Sequence, residues 1–126
     1  GRQQSARLSS IYFKSSSFKV MEGNAMIEVI PYEIGGKLYT GISVQLPKTT
    51  LLVISNDIGY IMCGALDVGL LNERLSDRQI IAGRAVGVKT LEELLNAPLE
   101  SVTDEARKRG IIPGMTGKDA LILFQA

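Results

Sequence analysis

The stretch from Leu51 to Leu71, LLVISNDIGYIMCGALDVGLL, constrains this chain more than any other. Its run Leu51-Leu52-Val53-Ile54 is β-rich and too short for a helix. Asn56 and Asp57 tolerate the dihedrals of a tight turn, and Gly59 follows them. A second apolar run, Tyr60-Ile61-Met62-Cys63, reads as the return strand of a hairpin. Gly64 then switches the period, and a helix is predicted to begin near Ala65 or Leu66. Polar groups gather at the ends of this hairpin, so a site is expected there if anywhere.

The segments before it follow the same rule. Met26 to Ile34 is β-branched and leads into Gly35-Gly36, a glycine turn. Beyond the turn, Leu38, Thr40, Ile42, Val44 and Leu46 share one face by period two. Pro31 interrupts the first of these strands and suits an edge or a bulge. Pro47-Lys48-Thr49-Thr50 makes the next turn, so four strands run in an antiparallel meander. After the hairpin, Leu66, Leu70, Leu71 and Leu75 recur at helical spacing, and Ser76-Asp77 closes that helix. Gln79 to Val88 is a fifth strand, apolar on both faces. Thr90 and Glu93 form a capping box for a helix that Pro98 halts. Glu100 to Arg109 is a third helix, acidic at its start and basic at its end, and Thr116 caps a last one. The predicted fold class is α+β: an antiparallel or mixed sheet of about five strands, with helices on one face and an amino-terminal β-hairpin available for oligomerisation.

Composition removes several chemistries. The chain of 126 residues has no histidine and one cysteine. Ser-His-Asp and Cys-His catalysis are therefore closed to it, as are imidazole metal sites and internal disulfides. No metal and no cofactor is expected, and whether the chain is an enzyme at all stays open. No apolar run approaches the roughly 20 residues of a membrane helix, so no membrane partner is expected and a reducing cytoplasm fits. Residues 1–25 hold four basic side chains and one acidic, a charge of +3. The other ten basic and twelve acidic residues leave the remainder at −2. A mildly acidic domain offers no counterion-releasing patch, so no nucleic-acid partner is expected.

Residues 1–25 contain six serines and hold neither helical nor strand period. They are expected to be a disordered tag, a leader or an upstream extension, with residues 26–126 forming the single domain. Glu22-Gly23 has purine-rich codons that resemble a ribosome-binding site shortly upstream of Met26, which favours Met26 as the start. A disordered native tail is the alternative.

The stretches GYIMCGALDV (59–68), AGRAVGVKTLEELLNAPLESVT (82–103) and GIIPGMTGKDAL (110–121) resemble the YunC family, small bacterial and archaeal proteins classed as a domain of unknown function. The resemblance covers Met26 to Phe124. It implies a homo-oligomer, a tetramer built through an amino-terminal β region, and brings no agreed activity and no assigned catalytic residues.

The candidate ligand-binding residues are Asn56, Asp57, Cys63, Gly64 and Arg84. Cys63 before a helix reads either as an activated thiol or as inert core packing. Arg84 interrupts the apolar AGRAVGV, where a guanidinium must be paired or reach solvent. It is expected either to hold an anionic ligand beside Cys63 or to meet a carboxylate or a second subunit. Gly83 and Gly87 permit close approach by a ligand or another chain. Lys48, Thr49 and Thr50 form a turn able to bind an anion, or simply a solvated one. GIIPGMTGKDAL fails as a phosphate-binding loop, because its glycines have the wrong separation and Asp119 replaces the hydroxyl residue. Two readings follow: a homo-oligomeric assembly or binding module without established activity, and a small-molecule-binding protein or enzyme with a pocket around Cys63 and Arg84.

Overall fold

The computed structural model describes residues 12–23 and 25–125. Strands β1 (Tyr12–Lys14), β2 (Phe18–Glu22), β3 (Ala25–Ile34), β4 (Lys37–Leu46), β5 (Thr49–Ser55) and β6 (Gly59–Met62) come first. Helix α1 (Val68–Glu73) and a 3-10 turn (Ser76–Arg78) lead to β7 (Ile81–Arg84). Helix α2 (Leu91–Asn96), β8 (Ser101–Val102), α3 (Asp104–Lys108) and α4 (Gly117–Ile122) complete the chain. The α+β class is as predicted, but the sheet has eight strands instead of about five.

Two of the three additional strands share a cause. β1 and β2 lie one after the other along the outer edge of β3, with Tyr12 opposite Ile34 and Phe18 opposite Val29. Edge strands exposed on both faces need no alternating pattern, so residues 12–22 gave no period to read. That part of the segment expected to lie outside the domain is joined to its sheet. The expectation for residues 1–11 lies outside the described residues. β8 is two residues long, and it occupies the start of what reads in sequence as the third helix. That helix begins at Asp104, because the Thr103 hydroxyl accepts from the backbone of Ala106 and sets the cap.

From β3 to β6 the strands form the expected meander, Pro31 lying in β3 opposite Thr40. β6 and β7 pair in parallel, joined through α1. Period two sorts the side chains cleanly. Tyr32, Ile34, Tyr39, Leu52, Ile54 and Ile61 face a core filled by Leu91, Leu94 and Leu95 of α2, Ala106 of α3, and Ala120 and Leu121 of α4. Helix α1 does not join them. Its Val68 and Leu71 pack with Leu66 and Ala82 against Tyr60 and Met62, residues that point to the opposite face. Helices therefore lie on both faces, a correction to the one-sided arrangement expected. The reason is the parallel crossover, which carries α1 over the far side of β6 and β7.

Caps follow the sequence closely. Thr90 accepts from the Glu93 amide at 3.1 Å, and Glu93 reaches back to the Lys89 amide at 2.6 Å. Thr116 accepts from the Asp119 amide. Thr103, nearly fully buried, also accepts from the Ala82 amide at 3.1 Å and so fastens α3 to β7.

Candidate functional site

The β5–β6 turn is built by one side chain. Asn56 Oδ1 accepts from the amides of Ile58 and Gly59 at 2.9 and 3.1 Å, while its Nδ2 donates to the Phe124 carbonyl at 3.1 Å. Its polar atoms thus close the turn and hold the carboxyl-terminal segment. Asp57 projects from the tip, exposed. Both stand at the start of β6, whereas Cys63 and Gly64 follow its end. Four strand residues separate the two pairs by roughly 13 Å. The five candidate residues do not converge on one pocket.

Cys63 and Arg84 are split more decisively. Met62 is in register with Arg84, so these two side chains share a face. Cys63, one residue on, turns to the other. Its Sγ lies 3.5 Å from the Leu52 amide and 4.0 Å from the Thr50 carbonyl, and the residue is 6% exposed within the main core. Helix α1 begins only at Val68, with Asp67 as its cap, so the thiol is not placed at a helix start as expected. Leu66 instead makes a turn back to the Cys63 carbonyl. An anion held by Arg84 cannot lie beside this sulfur. The core-packing reading of Cys63 is the one the geometry supports.

Arg84 lies at the rim of a groove of about 370 Å3 that also takes in Asp67, Asn72, Glu100, Asp104 and Arg107. Gly64 lies beside it: a Cβ added there would stand 3.8 Å from Nη2, an ordinary van der Waals contact. The nearest carboxylate is Glu100, whose Oε1 is 4.0 Å from Arg84 Nε and accepts a 2.6 Å bond from the Ser101 hydroxyl. Arg84 Nε is buried without a hydrogen-bond partner. The carboxylate anticipated from sequence is therefore present but held loosely. Gly83 has a plain structural use: a Cβ there would stand 2.8 Å from Leu99 Cδ1. Among the described residues no three carboxylate or thiol groups converge as metal ligands.

The surface least expected from sequence is the sheet face that α1 leaves bare. The register places Phe18, Val29, Ile42 and Val53 in one row across β2 to β5, with Val20, Ile27, Val44 and Leu51 in a parallel row beside it. None of the eight is fully buried, and Phe18 is 66% exposed. The sequence identified the face of β4 that carries Ile42 and Val44, but not that it is the outward one. Tyr32 and Tyr39, on the other face of the sheet, lie under the helices. Their hydroxyls bond to Glu92 Oε2 at 2.6 Å and to the Leu121 carbonyl at 2.5 Å.

A mixed sheet carrying helices on both sides and one uncovered apolar face defines a small α+β protein, and among the described residues no catalytic constellation is recognisable. Residues 62–124 match the family described as a domain of unknown function, DUF1805. The chain is 56% identical over 97 residues to the uncharacterised protein YunC of Bacillus subtilis (strain 168), covering 77% of this chain and 96% of that one. Its fold is similar to the crystal structure of TA1206 from Thermoplasma acidophilum, a protein of unknown function. The TM-score is 0.73 at 33% identity, over 84% of this chain and all of that one. The chain belongs to this family of YunC-like, DUF1805 proteins, for whose named members no activity is established.

Proposed function

We propose that the protein is a homo-oligomeric assembly module, a tetramer whose first contact is the bare face of β2 to β5. The observation that carries this is the double apolar row from Phe18 and Val20 to Val53 and Leu51. The four strands, of 5, 10, 10 and 7 residues, make a face on the order of 500 Å2. That is a large part of the roughly 800 Å2 each partner contributes to a standard interface. The rows carry no charge, so a second copy of the same surface is a matched partner and no oppositely charged protein is called for. Related by a twofold axis, two such faces close into a sandwich. The outer edge of β2 offers a second self-complementary surface, because its outward backbone groups lack a strand partner among the described residues. Two independent twofold contacts generate a tetramer.

Light scattering tests this directly. The expected mass is four times the 13.6 kDa protomer, and Ile42→Lys is expected to reduce it while leaving the far-ultraviolet spectrum unchanged. A monomer at micromolar concentration overturns the proposal. A tetramer retained in Ile42→Lys removes the sheet face from it.

Arg84 favours a second reading, a small-molecule site narrower than the one expected from sequence. Its buried, unpartnered Nε faces a groove without Cys63, Asn56 or Asp57.

A further inference from the structure

A different groove has the composition of an anion site. It lies between the β4–β5 turn and the loop entering α2, encloses about 500 Å3, and is lined by Gln45, Leu46, Lys48, Thr49, Thr50, Val88 and Lys89. We propose that it binds a small molecule through a phosphate or diphosphate group.

Charge is the first argument. Two lysines are among the residues that line the groove and no acidic residue is. Among the described residues neither lysine is in an ion pair. The two acids nearest Lys89 in sequence are engaged elsewhere: Glu92 Oε2 accepts from the Tyr32 hydroxyl, and Glu93 Oε1 accepts from the Lys89 backbone amide, a cap contact that also fixes the loop. Two cations flanking hydroxyl and amide donors form a cradle that an anion's oxygens satisfy, with lysine acting as a point charge.

Backbone conformation is the second argument, and it is independent of the first. Pro47 and Lys48 form the two-residue connection of the hairpin, Leu46 pairing with Thr49. Lys48 has φ +63, a left-handed conformation in the position after a turn proline where glycine is the usual occupant. The steric cost of that conformation falls on a residue that lines the groove, and such strain concentrates at sites of function.

The groove runs on through Gln45 and Lys89 into a smaller cleft containing Glu28, Ser43 and Glu92. The two ends thus differ in sign. The bound anion belongs at the lysine end, and the ligand's body carries hydroxyl or amino groups for the acceptors at the other. This site uses neither the sheet face nor the Arg84 groove.

Calorimetric titration with inorganic pyrophosphate at low ionic strength tests the proposal. The expected result is saturable binding of one equivalent per chain, at least tenfold weaker in Lys48→Gln and in Lys89→Gln. Lys48→Arg should retain it, and Lys37→Gln, at the β3–β4 turn, should leave it unchanged. Absence of saturation, or equal weakening in Lys37→Gln, overturns the proposal. Co-sedimentation with phosphatidic acid vesicles that is lost in Lys48→Gln would assign the cradle to a lipid headgroup and overturn the small-molecule reading.

Discussion

The hydroxyl of Tyr32, in the middle of the sheet, donates a 2.6 Å hydrogen bond to Oε2 of Glu92, sixty residues further on at the start of α2. Tyr32 itself has no exposed surface. Burial, reinforced by this bond and by the carboxylate charge, raises the phenol well above its usual pKa, and burial raises Tyr39 as well. Both rings therefore keep their protons in the folded state after the unfolded chain would release them. Their contribution to stability is complete below about pH 10 and declines above it. Urea midpoints measured from pH 8 to pH 11.5 should fall above pH 10. Tyr32→Phe should lower stability by about 1–2 kcal/mol at neutral pH, yet flatten the alkaline decline. An alkaline slope identical to wild type would contradict the assignment.

Cys63 should behave as core. The thiol is enclosed between β5 and β6, and no described side chain acts as its base. Alkylation by iodoacetamide is expected to proceed only as fast as the protein opens, and Cys63→Ala should cost about 1 kcal/mol through lost contacts. Rapid modification of the native protein at pH 7 would refute this.

Lys48→Gly should make the fold more stable. Left-handed φ costs an L residue about 1–2 kcal/mol, and glycine's greater freedom when unfolded takes back only part of that gain. A net increase of about 0.5 kcal/mol is expected from denaturant unfolding. A lower midpoint would show that the lysine stem makes contacts that outweigh its backbone strain.

What sequence conveyed was what is encoded locally. The Gly35-Gly36 hairpin, the Asn56 turn and the Thr90 cap each depend on residues within a few positions, and each stands where the pattern placed it. Parity was harder to use. Cys63 ends one apolar run and Arg84 interrupts another, which suggests a shared site, yet one residue of offset sends them to opposite faces. Sidedness was not legible either. Ile42 and Val44 alternate as a core face would, and only the position of α1 shows that nothing covers them. Of the Lys48 groove only one wall is legible: Lys48, Thr49 and Thr50 read as a turn able to bind an anion, whereas Lys89 lies in a separate loop. No spacing rule connects two residues that meet only through the packing of α2 on the sheet.

From β3 to β8, each strand neighbours the one that precedes it in the chain. Such a sheet can zip from one growing edge, each step closing a loop of a few residues. Two joints are exceptions: β7 to β8, separated by residues 85–100, and the parallel joint between β6 and β7, where residues 63–80 must be spanned before any ladder bond rewards the closure. Loop-closure entropy therefore favours nucleation in the antiparallel meander. The docking of β7, and with it the wall on which Arg84 stands, is the expected slow step.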